Sequence, residues 1–283
     1  MEIVVRPTHG FPYLAHLHIL HASYLRHRSW KPAPATQKPK RMKRILTLSL
    51  LLTAMVPAFA QKHVYEDLLA AFVDENYEKC LFKAIGYTES DATKKDPMPY
   101  LYASMCYYEM SKIEKFTALD EYKKADREAL KYAEKYRKKD KDKEFFSNYD
   151  DYWTDLNSMA QEKGINHFDA KEWSKAKQLF DAMTSYYPEN PGAWVMLALC
   201  QYNTNLAKEG DLNMKSFDTA MAGVGDIGTL PEDQKKLLKT ALIQYSMYLN
   251  AKGMKEEAKA VIEKGKDHFM EDPEYKLQYD ELQ

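Results

Sequence analysis

Several patterns are missing from this chain of 283 residues, and each absence narrows what it can be. No stretch of the main body alternates apolar and polar residues as a half-buried strand would, which argues against sheet architectures. Gly-x-Ser-x-Gly, a glycine-rich loop ahead of Lys-Ser/Thr, His-Glu-x2-His and Cys-x2-Cys are all absent, so no familiar catalytic motif supports an enzyme. Cysteine is scarce. Cys80, Cys106 and Cys200 are an odd count, and each falls in an apolar helical pattern that suits a small buried side chain. A bridge between Cys80 and Cys106 stays open as an alternative. Beyond residue 60 the only histidines are His63, His167 and His268, far apart in sequence, and neither a metal nor a cofactor is expected. No uncharged run reaches the roughly 20 residues that span a bilayer.

The leucine-rich run of "MKRILTLSLLLTAMVPAFAQK", which begins at Met42, is well short of that length. Lys43 and Arg44 form a basic head, Ile45 to Val56 an uncharged leucine-rich core, and Pro57 breaks it before Ala58-Phe59-Ala60. That is the three-part plan of a secretory signal, with small residues placed for cleavage between Ala60 and Gln61. The product would be periplasmic or secreted. It would carry no lipid, because a lipid anchor needs a cysteine directly after the cut and the first one is Cys80. Residues 1–41 hold five of the eight histidines and no sustained period of either kind. A metal-binding tract is one reading of them. Export signals sit at the N-terminus, so a start at Met42, with 1–41 an upstream extension that is disordered if translated at all, is the favoured one.

Setting residues 1–60 aside changes the charge. Residues 61–283 hold 32 Lys/Arg against 41 Asp/Glu, a formal −9 where the whole chain stands at −1. An acidic exported body is a poor candidate for nucleic acid or anionic lipid. Its periodicity is helical nearly throughout, as in "VYEDLLAAF", "AKQLFDAM" and "AWVMLALCQY". Breakers arrive at intervals suited to helix pairs, at Pro97 and Pro99, Pro188 and Pro191, Gly228 and Pro231, and Pro273. The expected class is all-α, one domain over 61–283.

The segment "KGINHFDAKEWSKAKQLFDAMTSYYPENPGAW" resembles the tetratricopeptide repeat family, through Gly164, Trp173, Ala176, Phe180 and Pro188. Trp194, Leu197 and Ala198 continue it in register, with Ala198 34 residues after Gly164. Tyr77 with Cys80, Tyr100 with Ser104 and Tyr107, and Ser246 with Gly253 and Ala258 match more loosely. Gln201 departs from the expected aromatic. Two units look lengthened, because Ala125 lies 21 residues after Ser104 and Ala220 lies 22 after Ala198, against twelve from Gly164 to Ala176. The resemblance implies a right-handed solenoid of about four to five antiparallel helix pairs, closed by a capping helix from "EYKLQYDELQ". "NTNLAKEGDLN" reads as a polar loop whose Glu209 and Asp211 lack the full calcium pattern. "DEYKKADREALKYAEKYRKKDKDKE" reads as a charged helix with a solvated face.

The family binds partners along its first helices. Carried over, the groove here would be lined by Leu101, Met105 and Tyr108, then Ile165 and Phe168, then Val195, Leu199 and Tyr202. That set is apolar and aromatic, contains no lysine, and implies a protein or peptide partner. Tyr108, Phe168 and Tyr202 should accordingly be more exposed than Trp173 and Phe180. The alternative is a glycan-associated envelope protein that stacks sugars on Tyr and Trp. Asp150 and Asp151 beside Trp153 could serve it, but adjacent helical residues diverge by about 100°, which favours a role in starting the next helix.

Overall fold

The computed structural model describes residues 65–283. The upstream segment 1–41, the export signal 42–60 and the cut between Ala60 and Gln61 lie outside the described residues. Every regular element among them is helical: α1 Glu66–Val73, α2 Tyr77–Glu89, α3 Met98–Ser111, α4 Glu114–Thr117, α5 Ala125–Lys139, α6 Asp150–Asp169 and α7 Trp173–Tyr186. There follow α8 Pro191–Tyr202, α9 Ala207–Val224, α10 Glu232–Ala251, α11 Lys255–Glu263, α12 Lys266–Phe269 and α13 Pro273–Leu282. Short 3-10 turns stand at Phe146–Tyr149 and Ile227–Thr229.

The breakers start helices as their chemistry dictates. Asn190 caps α8 by accepting from the Ala193 amide at 3.4 Å, with Pro191 in the first turn. Asp272 caps α13 by accepting from the Glu274 and Tyr275 amides, both at 3.1 Å, with Pro273 after it. Proline suits this position because the amide it lacks would have no intrahelical partner there. Asp150 and Asp151 sit in the first turn of α6 without making a side-chain cap, so they act on the helix dipole.

Four hairpins are joined by one turn. α1–α2, α6–α7, α8–α9 and α10–α11 each place a single residue in the left-handed region, at Glu75 (φ 55°), Lys171 (58°), Asn205 (61°) and Gly253 (78°). In each the next amide returns to the carbonyl five residues back: Asn76 to Ala71, Glu172 to His167, Leu206 to Gln201 and Met254 to Leu249, at 2.8 to 3.0 Å. This closure satisfies a carbonyl that the helix end would otherwise strand. Two of the four left-handed residues, Glu75 and Lys171, are not of the types that favour this region, so the closing bond and the packing hold them there.

Small side chains sit at a fixed distance from each turn. Five residues after the left-handed one come Cys80, Ala176, Gly210 and Ala258, all buried. Twelve residues before these lie Leu68, Gly164, Ala198 and Ser246, also buried. These are the crossing points. A Cβ added at Gly164 would stand 2.8 Å from Cζ of Phe180, and one at Gly210 2.5 Å from Cε1 of Tyr202. The unit holding Ala198 is therefore not lengthened between its helices. Its small residue is Gly210 rather than Ala220, and "NTNLAKEGDLN" is a short turn followed by the start of α9 rather than a polar loop. Glycine is disfavoured inside a helix, yet at Gly210 the Tyr202 ring lies where any side chain would go. The extra length goes instead into α9, 18 residues long. Between Ser104 and Ala125 the lengthening is present as the connection through α4. The charged segment forms α5 with Ala125, Ala129, Leu130, Tyr132, Ala133 and Tyr136 buried on one stripe.

Helices pack on the next helix or the next but one: α2 on α3, α3 on α5, α5 on α7, α6 on α7, α7 on α8, α8 on α10 and α10 on α11, while α9 packs chiefly on α8. α13 lies over α10 and α11 and buries Tyr275 and Leu282. It is tied down by Gln278, whose amide donates to Ser246 Oγ at 3.1 Å, and by the Tyr275 hydroxyl, which donates to the Ile262 carbonyl. The expected closing helix is thus in place.

Among the described glycines, Gly192 is the one whose added Cβ would meet another helix's backbone, 2.7 Å from the Leu238 amide nitrogen of α10. Gly223 on α9 faces open space. Glycine to alanine inside a helix normally stabilises by up to about 1 kcal/mol. Gly223→Ala should do so, whereas Gly192→Ala should destabilise by about 1–3 kcal/mol because backbone cannot yield as a flexible side chain would. Urea titrations of both variants read the two signs. A stabilised Gly192→Ala would refute the close approach.

Candidate functional site

The structure does not open a groove along the residues inferred from the repeat. Leu101 and Val195 are fully buried, Leu199 is 1 % exposed, and Met105, Tyr108 and Phe168 are all below 10 %. Ile165 and Tyr202 alone of the eight are half-buried. The expected order of exposure fails as well: Phe180 is buried, but Trp173 is half-buried and so more open than Tyr108 or Phe168. The cause is aromatic filling. Tyr152 of α6 meets the Tyr108 ring edge-on at 5.8 Å and shares a 2.6 Å hydrogen bond with Ser104, while the Lys112 ammonium lies 4.3 Å from the Tyr108 ring centre. Phe168 packs edge-on against Trp173 at 4.9 Å. Tyr202 stacks on Tyr248 at 5.2 Å and donates to Asp211 at 3.0 Å.

An accessible concavity lies elsewhere. A cleft of about 630 Å³ opens between α9 on one side and the joint of α7, α8 and α10 on the other. Tyr187, Pro188 and Trp194 form one wall, and Ser216, Ala220 and Gly223 stand on the facing side of α9. Leu230, Pro231 and Gln234 close the end. The Trp194 indole is oriented by donating to the Pro188 carbonyl at 2.7 Å. α9 outruns its partner α8, the chain reverses at Gly225 (φ 67°), and Pro231 begins α10 some distance from the end of α9. Lys215 at the rim is exposed, whereas Glu189 is held by Arg137 at 3.3 Å and by Lys143.

A polar network underlies this joint. The Tyr186 hydroxyl donates to Asn157 Oδ1 at 2.6 Å, and Asn157 Nδ2 donates to Asp233 Oδ2 at 3.0 Å, linking α7, α6 and α10. Five buried side-chain atoms have no hydrogen-bond partner here: Arg137 Nε, Glu189 Oε2, Asn190 Nδ2, Asp233 Oδ1 and Gln234 Nε2. Gln234 lies beside the Tyr187 hydroxyl and lowers its pKa against the larger raising effect of burial, yet at a geometry that leaves Nε2 unbonded. A buried polar group without a partner costs about 1–3 kcal/mol. Their concentration at one joint marks it as the place where packing alone does not account for the residues present.

Among the described residues no group of three His, Cys, Asp or Glu is arranged to hold a metal, and no helix is long and apolar enough to cross a membrane. The components of the cleft stand separately in the sequence, Trp194 in the repeat and Pro188 and Pro231 as breakers, and nothing local to them indicates their meeting across α9.

Two predictions follow from this burial. Leu199→Ala should lower stability by about 2–5 kcal/mol, a core deletion rather than a surface change. Denaturant unfolding with no loss would restore the groove. Burial raises the Asp233 carboxyl above its usual range, against hydrogen bonds that lower it. The folded state therefore holds this proton more tightly, and the group's penalty grows as pH rises from its unfolded value near 4 through the higher folded one. Asp233→Asn should gain stability relative to the native chain at pH 7.5, and the gain should shrink toward pH 4. A difference that does not change with pH would refute this. Comparison of the chain with protein-family models, curated proteins and solved structures gives no match.

Proposed function

We propose that residues 61–283 act after export as a non-enzymatic scaffold that holds a segment of a partner protein. The scaffold is read as a right-handed, tetratricopeptide-like solenoid. Support for that architecture is the turn repeated in four hairpins, with the same five-back closure and the same twelve-residue spacing of crossing residues. Support for export is the basic head, apolar run and Ala-Phe-Ala of residues 42–60. The formal −9 of the remainder disfavours nucleic acid as partner.

The observation that carries the binding reading is the cleft at Trp194. Its volume, about 630 Å³, lies within the range of sites that enclose a ligand group. A fixed indole, two prolines and Leu230 face a wall of small residues, so an apolar side chain of an extended segment can enter between them. This moves the proposed contact away from the eight groove residues and onto the α9 side. One observation favours a glycan as the second reading: Trp194 and Tyr187 stand close to Gln234 and Glu189, an aromatic platform with polar neighbours. Val224, Pro188, Leu230 and Pro231 between them favour protein.

Filling the cleft tests this. Gly223→Trp adds a ring into open space, so the variant should melt like the native chain. With a photo-crosslinking residue at Thr219, the native background should yield a covalent adduct to a protein in the exported fraction, and the Gly223→Trp background should not. An adduct that persists in the filled cleft, or one carrying sugar in place of protein, would overturn the proposal.

A further inference from the structure

Of the five buried side-chain atoms without a hydrogen-bond partner, two belong to residues that line the cleft at Trp194: Gln234 Nε2, a donor, and Glu189 Oε2, an acceptor. Gln234 is only 1 % exposed. It is the third residue of α10, where a glutamine commonly turns back to the amide of the residue before the helix. That residue is Pro231, which has no amide hydrogen, so the Gln234 carboxamide has no local cap to make. Methionine would fill the same space without a stranded donor.

Glu189 precedes α8, and Arg137 and Lys143 both hold its Oε1. Two cations on one oxygen fix the carboxylate and leave Oε2 unbonded. One donor and one acceptor are thus withheld from water in the cleft that Trp194, Pro188 and Leu230 make apolar. Stranded groups of this kind destabilise the free protein, and a ligand that pairs with them recovers the cost on binding. A peptide chain supplies both complements, a carbonyl that accepts and an N–H that donates, with a side chain between successive groups.

We propose that the cleft reads the main chain of an extended segment: a carbonyl accepts from Gln234 Nε2, an N–H donates to Glu189 Oε2, and an apolar side chain lies against Trp194. This rests on the reading of the cleft as a partner-protein site. The terminal torsions of glutamine and glutamate are broad, so both groups turn toward an entering amide without moving the helices. Recognition of this kind asks little of the partner's sequence beyond one apolar residue. It excludes proline at the position whose N–H meets Glu189, because proline has none to give.

The probe is N-acetyl-leucine N-methylamide, an apolar side chain between two amides, titrated into the isotope-labelled full chain. Binding is read at the Trp194 indole N–H signal, identified as the one missing from Trp194→Phe. We expect the diamide to shift it and maltose not to. Two analogues each replace one probe N–H with oxygen, and the one that loses the N–H at Glu189 should bind about tenfold more weakly. Gln234→Met should also bind the diamide about tenfold more weakly, yet melt at or above the native chain because a stranded donor is gone. An amide with a purely structural role would instead lower the melt when removed. A lower melt of Gln234→Met, unchanged affinity for that variant or for both analogues, or a shift with maltose would each overturn the inference while the diamide still marks the cleft as a peptide or glycan site. The cleft reading fails separately, and takes the inference with it, if the diamide leaves Trp194 unshifted or shifts it equally in Gly223→Trp.

Discussion

The rest of the structure depends on how closely two helices can approach where they cross. At Gly164 the Phe180 ring occupies the space a methyl group would need, and at Gly192 the backbone of α10 does. A larger side chain at either point would hold the helices apart and open the core on both sides, because interiors packed at crystal density have no slack to absorb it. The turn works with this constraint. A single left-handed residue and one five-back hydrogen bond set the register of the second helix, so that its small residue arrives opposite that of the first.

Once the crossings are set, aromatic side chains fill what remains. Trp153 stacks on Phe146 at 4.5 Å and sits close to Tyr136, Tyr152 and Tyr186, so α5, α6 and α7 share one buried aromatic group. The hydroxyls in that group need acceptors, and they find them in Ser104, Asn157 and Asp140. This filling closes the face that the repeat pattern would leave open. Concavity therefore appears where α9, longer than the helix it packs on, diverges from α10 and leaves Trp194 and Tyr187 half-buried.

Much of this was legible from residue order. Helical periodicity, the proline and glycine breakers, and the pairs Gly164 with Ala176 and Ser246 with Ala258 all correspond to elements or crossings in the fold. Gly210 was missed because glycine inside a helix is unfavourable on propensity alone, and only the overlying Tyr202 ring accounts for it. Tyr108 and Phe168 were assigned to an open face because spacing gives the direction of a side chain without saying what covers it. The cleft was missed for the complementary reason. Its walls come from segments more than twenty residues apart, and no local pattern links Pro188 to Gly223.

The sequence by itself therefore determined the helical class, the places where helices stop and the small residues at most crossings. These are local properties, set by backbone propensity, capping and the 3.6-residue period. Tertiary structure alone decided which apolar stripes are covered, where a cleft remains, and that Asp233 joins a buried network with Asn157 and Tyr186. Those outcomes depend on helix length and crossing position together. A shift of one residue in either would carry a side chain about 100° around its helix and change what it touches.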